Sequence, residues 1–130
     1  MRDRTHERTI ARLRSAAEQE VLTVSRSLPA PVRAKALTLP VTYEDFPSRE
    51  MVEDGLEVDI LGLFVGTPFP DQLASGNDVP AQIILFLDNL WEFAGRDAAI
   101  FREEVRKTYL HELGHYLGLD EDDLADRDLD

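Results

Sequence analysis

One stretch of eleven residues, HELGHYLGLDE at positions 111–121, limits what this chain can fold into more than any other part of it. On an α-helix, residues four positions apart lie only about 40° apart around the axis, so His111 and His115 direct two imidazoles to one point. Two imidazoles placed in this way are the first two ligands of a zinc site on a helix. Gly118 is free to adopt the left-handed conformation that ends a helix and turns the chain. The spacing therefore predicts a metal-binding helix that stops soon after its second histidine.

The same stretch predicts a general base and a third metal ligand. Glu112 follows the first histidine and is predicted to take a proton from a zinc-bound water. A catalytic zinc takes three protein ligands, and Glu121 lies six residues after His115, where related motifs carry a third histidine. Asp120 and Asp122 are the alternative ligands. The predicted site has the metal ligands His111, His115 and Glu121 and the catalytic base Glu112.

A surface helix that carries two histidines by chance is the competing interpretation. It is disfavoured because two of the three histidines in the chain fall in this motif, with a glutamate, a glycine and an acidic residue at the expected spacing. Imidazole nitrogen and carboxylate oxygen form a donor set that suits zinc. The predicted cofactor is therefore Zn²⁺.

Composition restricts the class of protein. A chain of 130 residues has the length of one domain, and it contains no cysteine, which excludes disulfides and thiolate ligands. The net charge of −12 argues against nucleic-acid binding. No apolar run reaches the roughly 18 residues of a transmembrane helix, and the arginine-rich start lacks the apolar segment of a signal peptide. We therefore expect a soluble, cytoplasmic protein with neither a nucleic-acid nor a membrane partner.

Hydrophobic periodicity predicts helices at both ends of the chain and strands between them. An apolar stripe at spacings of three and four predicts an amphipathic helix at 5–28, which Pro29 and Pro31 are expected to end. This stripe is expected to pack on the domain's own sheet, with docking to a partner protein as the alternative. Asp97 is a suitable N-cap for a helix that runs to about Leu117. The predicted strands are 39–46, 56–65 and 82–87.

Two shorter segments complete the predicted order of elements. A short helix is expected at 88–94, with Trp91 and Phe93 in the core. Residues 66–80 are rich in glycine and proline and predict a long loop. A loop of that length is either a lid that shapes a substrate site or an irregular surface connection.

Three blocks of sequence resemble a known family, the small bacterial minimal zincins, which are zincin-like metallopeptidases. The blocks are LGLFVGTPFP, QIILFLDNLW and FREEVRKTYLHELGHYLGLDEDDL, and the resemblance covers roughly residues 38–124. It implies an α+β fold in which a small mixed β-sheet packs against an N-terminal helix and a C-terminal active-site helix. It also implies zinc held by His111, His115 and Glu121. On this basis we expect residues 1–130 to form one zincin-like domain, with an amphipathic helix at 1–30 and an acidic, ligand-bearing tail at 119–130.

The function predicted from the motif and the resemblance is that of a zinc-dependent metallopeptidase. It would hydrolyse a peptide or protein substrate by means of a zinc-bound water that Glu112 activates. The alternative is a non-catalytic metal-binding or protein-interaction domain on the same scaffold. Glu112 favours the enzyme, because a purely structural zinc site needs no base and fills all four positions with protein ligands.

Overall fold

A computed structural model describes residues 4–71 and 80–119 of the chain. Within these residues, five α-helices accompany a small three-stranded sheet, and a short 3₁₀ helix lies at Phe69–Asp71. The helices are α1 (Arg4–Ser27), α2 (Ala30–Thr38), α3 (Arg49–Glu53), α4 (Leu87–Phe93) and α5 (Ala98–Tyr116). The strands are β1 (Val41–Glu44), β2 (Gly62–Val65) and β3 (Gln82–Phe86).

The three strands form a mixed sheet in the order β1-β3-β2. β1 runs parallel to β3, with Val41 opposite Ile83, and β2 runs antiparallel to β3, with Gly62 opposite Leu85. The central strand is the most apolar, and four of its five residues are buried. This arrangement places β2 at one edge of the sheet, where α5 packs beside it.

The N-terminal helix contributes to the same core as the sheet and α5. The stripe predicted from the spacing supplies the buried α1 residues Leu13, Ala17, Val21 and Val24. They share one hydrophobic cluster with the sheet residues Ile83 and Leu85 and with the α5 residues Phe101, Val105, Tyr109 and Leu113. The predicted α+β fold with a small mixed sheet is therefore confirmed. The α1 stripe, expected to pack on the sheet, packs mainly against α5 instead.

The ends of α5 follow the predicted capping chemistry. The Asp97 side chain accepts a hydrogen bond from the Ile100 N–H at 3.0 Å, which satisfies an otherwise unpaired donor of the first turn. At the other end, Gly118 has φ +84°, and the Leu119 N–H donates to the Gly114 carbonyl at 3.0 Å. This is the left-handed glycine cap that the sequence predicts.

Three local predictions differ from the structure. Pro29 and Pro31 do end α1, but Pro29 is also the N-cap of α2 and Pro31 lies in its first turn, where a missing N–H costs nothing. The strand predicted from residue 56 begins only at Gly62. The predicted core position of Phe93 is wrong: its side chain is 65% exposed, because α4 presents its other face to the core.

Trp91, the other aromatic residue predicted for the core, is half-buried and packs edge-on against Phe101 with ring centroids 5.9 Å apart. Among the described residues, no helix combines the length and the apolar character needed to cross a bilayer.

Candidate metal centre

The two motif histidines meet on the last two turns of α5. Their Nε2 atoms lie 3.1 Å apart, and the rings stand nearly perpendicular, at 82°, with centroids 4.8 Å apart. Ligands about 2.0–2.1 Å from a tetrahedral zinc lie about 3.3 Å from one another. The two half-buried imidazoles thus fit a shared zinc ion with only a small adjustment.

Glu112 lies beside this pair and is held by the edge strand. One carboxylate oxygen of Glu112 and one ring nitrogen of each histidine lie within 4.8 Å of one another. The Phe64 N–H of β2 donates to Glu112 Oε1 at 3.1 Å. The Leu61 carbonyl points towards β3, because it accepts a hydrogen bond from the Phe86 N–H. Backbone groups alternate in direction along an antiparallel strand, so the N–H of Phe64, three residues later, points away from β3. An edge donor of the sheet therefore positions the carboxylate.

Close packing between β2 and α5 makes this contact possible. A Cβ atom added at Gly62 would lie 2.5 Å from Thr108 Cγ2 and 3.2 Å from Leu85 Cδ2. Real side chains do not approach that closely, so only glycine allows β2 to lie this near the helix. Gly62 thus sets the distance between the edge strand and Glu112.

We expect Gly62→Ala to lower the free energy of unfolding by about 1–3 kcal/mol, because the added methyl overpacks the strand–helix contact. Chemical denaturation measures the loss. Thr108→Ser removes the clashing methyl, so the double variant Gly62→Ala/Thr108→Ser should regain part of the stability lost. The single variant Thr108→Ser is the matched control. A Gly62→Ala protein as stable as the parent would contradict this account of the strand–helix packing.

A cleft opens between β2 and α5 next to the histidines. It has a volume of about 380 Å³, and Ile60, Leu61 and Gly62 line one wall. Thr108, His111 and Glu112 line the opposite wall, together with Glu104 and Lys107, which form an ion pair at 3.7 Å. The cleft has mostly apolar walls and runs along a sheet edge, and these are the features of a groove that accepts an extended peptide.

The turn after α5 is packed against the segment that follows β2. A Cβ atom at Gly118 would lie 2.8 Å from Pro70 Cγ. The sequence leads directly from this turn to Glu121, the predicted third ligand. Glu121 and its alternatives Asp120 and Asp122 lie outside the described residues, as does most of the predicted loop at 66–80.

The three tyrosines of the chain are not all near the site. Tyr109 is fully buried, and its hydroxyl lies 2.9 Å from Ser25 Oγ in the core; burial raises its pKa. Burial also raises the pKa of Tyr43 to about 12. Tyr116 packs its ring against Phe64, with centroids 5.7 Å apart. The polar group that sequence reasoning missed is the Phe64 N–H, a backbone donor that no side-chain pattern marks.

Comparison with known proteins agrees with this geometry. No curated protein matches the chain. A family model described as zincin-like metallopeptidase matches residues 37–130, which include β1, β2, β3 and the whole of α5. The match covers well over half of the sequence and confirms the family that the three sequence blocks resemble. The chain belongs to the zincin-like metallopeptidase family.

Proposed function

We propose that this protein is a zinc-dependent peptidase that hydrolyses peptide bonds in the cleft between β2 and α5. In this proposal His111 and His115 bind the zinc ion, Glu121 completes the protein ligands, and Glu112 is the general base. The substrate is an unfolded or extended segment of a peptide or protein.

One observation carries the proposal: two imidazoles and a carboxylate converge at a cleft that borders an edge strand. One ring nitrogen of each histidine and a carboxylate oxygen of Glu112 lie within 4.8 Å of one another, and the Phe64 N–H holds the carboxylate. A purely structural zinc site would gain nothing from a glutamate held beside its ligands. A base held within reach of a metal and of a peptide-sized groove is what hydrolysis requires.

Each residue of the site has a separate role in the proposed reaction. An extended substrate would lie along the outer edge of β2 and pair its backbone with edge groups of that strand other than the Phe64 N–H, which donates to Glu112. Zinc, when bound, lowers the pKa of its water to about 7 and polarises the scissile carbonyl. Glu112 would accept the proton from the attacking water and then deliver it to the leaving amine. The hydrogen bond from Phe64 restricts rotation of the carboxylate, so that the base is oriented before substrate arrives.

The proposal is tested by metal analysis combined with cleavage of a broad peptide library. The purified full-length chain is loaded with Zn²⁺, and its products are identified by mass spectrometry. We expect cleavage that depends on zinc, stops with a chelator and returns on adding zinc back. A fully zinc-loaded protein that cuts no peptide would favour the non-catalytic metal-binding or interaction domain instead.

Glu121 is tested separately as the third ligand. We expect Glu121→Ala to weaken zinc affinity well beyond the effect of Asp122→Ala or Asp123→Ala, because only a ligand contributes a direct bond to the ion. Zinc titration against a competing chelator measures the three affinities. Asp123→Ala is the matched control, since it removes one negative charge from the same segment, and Asp122→Ala tests the alternative ligand. Equal affinities in all three variants would mean that this segment acts only as diffuse charge.

A further inference from the structure

A second group of metal-ligating side chains lies at the carboxyl ends of β1 and β3, beside the first turn of α1. β1 and β3 are parallel, so their carboxyl ends meet. Asp45 directly follows β1, and Asp88 lies in the first turn of α4, which follows β3. The Asp88 N–H donates to the Asp45 carbonyl at 3.1 Å, which holds the two residues together. The first turns of α1 bring His6 to the same place, with its Nε2 atom 3.5 Å from Asp88 Oδ2.

Asp88 is the unusual member of this group. The residue is only 7% exposed, and its fully buried Oδ2 atom has no hydrogen-bond partner among the described residues. The nearby cation Arg96 already donates to Glu92 Oε1 through both Nε (2.9 Å) and Nη2 (2.6 Å). A buried carboxylate oxygen without a donor is costly, and burial raises the pKa of Asp88 accordingly. A cation bound at Oδ2 would remove this cost.

We propose that His6, Asp45 and Asp88 form a second metal site that binds a divalent first-row transition ion, with Zn²⁺ as the leading candidate. One nitrogen and two carboxylate oxygens are available, and the three atoms lie within 4.8 Å of one another. Atoms that bind one zinc ion lie about 3.3 Å apart. The distances between these three atoms must therefore shorten by roughly 1.5 Å at most. The His6 side chain is 46% exposed and free to make that movement. An imidazole ligand favours zinc over magnesium or calcium, which prefer oxygen.

The surroundings of the group suit a bound ion. A cavity of about 440 Å³ opens onto His6 and Asp88, and Thr5, Thr9 and Trp91 form part of its lining. It gives an ion access from solvent and leaves room for water as a further ligand. Three protein ligands with one open position is an arrangement that zinc accepts.

The position of the ligands in the chain indicates what the ion would do. The family match begins at residue 37, so Asp45 and Asp88 lie within it while His6 lies on α1, outside it. An ion shared by all three would fasten α1 to the carboxyl ends of β1 and β3. Because a ligand that binds only the folded state stabilises it by mass action, zinc should strengthen the attachment of α1.

The test uses the full chain with both motif histidines replaced, His111→Ala/His115→Ala, as the parent protein, so that only zinc binding at the second site is measured. We expect this protein to bind one Zn²⁺ per chain in calorimetric titration, and Co²⁺ at the same site to give the visible absorption of a low-coordinate ion. Adding His6→Ala or Asp88→Asn should weaken zinc affinity by at least about 100-fold, since each removes a direct ligand. Glu44→Gln, which removes an exposed charge next to Asp45 without removing a ligand, should change it little.

The unfolding temperature Tm, measured with and without zinc, separates loss of zinc binding from poor folding of a variant. The metal-free Asp88→Asn protein should be about as stable as its metal-free parent, because the lower cost of burying a neutral amide offsets the loss of the ion pair with His6. Zinc should raise the Tm of the parent but not of Asp88→Asn. The proposal is overturned if the parent binds no zinc, if His6→Ala and Asp88→Asn bind it as tightly as the parent, or if zinc raises the Tm of all variants equally.

Discussion

Glu112→Gln is expected to remove most peptide hydrolysis while the protein still folds and binds zinc. Glutamine has the shape of glutamate, and its amide oxygen can accept the hydrogen bond that the Phe64 N–H donates at 3.1 Å in the parent. It cannot accept a proton from water, so the general-base contribution, worth about 10²–10⁴-fold, is lost. The comparison is of kcat for the zinc-loaded parent and variant on the same peptide.

Two controls make the Glu112 result decisive. Circular dichroism and metal analysis must show that Glu112→Gln folds and holds zinc as the parent does, so that the loss lies in chemistry alone. Glu103→Gln changes an exposed carboxylate of the same helix that does not line the cleft, and should retain turnover within a few-fold. Cleavage that survives in Glu112→Gln would point to a contaminating protease and would count against Glu112 as the base.

Replacement of both motif histidines should remove one zinc ion per chain. The experiment is done in a His6→Ala background, so that the proposed second site does not contribute. The Nε2 atoms of His111 and His115 lie 3.1 Å apart, so the His6→Ala protein offers zinc two nitrogens at once. Adding His111→Ala/His115→Ala to His6→Ala leaves no imidazole in the chain. We expect the His6→Ala protein to retain one zinc after dialysis and the triple variant to retain none.

Elemental analysis after dialysis measures the zinc bound per chain, and the His6→Ala protein is the matched control for the triple variant. Unfolding temperatures should show that the triple variant is folded when metal-free. A triple variant that still holds stoichiometric zinc would show that the ion binds elsewhere, and the assignment of His111 and His115 as ligands would be wrong.

The helix that carries the site could be predicted from the sequence because its geometry is local. Residues four apart share a helical face whatever surrounds the helix, so the convergence of His111 and His115 follows from spacing alone. The same holds for the cap at Asp97 and the left-handed turn at Gly118, where the hydrogen bonds span only a few residues. The apolar stripe of α1 is equally local, and its burial was predicted.

Solvent exposure of single side chains was less predictable. Phe93 is as apolar as its neighbours but lies on the outer face of α4, and nothing in a seven-residue helix marks which face the rest of the chain will cover. Pro31 was expected only to end α1, but it lies in the first turn of α2. The fixed φ of proline is compatible with a first helical turn as well as with the end of the preceding helix.

The sequence by itself determined the family and the α+β fold that the family implies, through three blocks that resemble the minimal zincins. It also determined the helix bearing His111, Glu112 and His115, because their spacing is local. Tertiary structure alone decided which backbone groups and distant side chains meet. The Phe64 N–H reaches Glu112 because β2 is an edge strand and Gly62 lets α5 approach it. His6, Asp45 and Asp88 come together because two parallel strands end beside the start of α1. Contacts between residues so far apart depend on how the elements pack, and no local pattern encodes them.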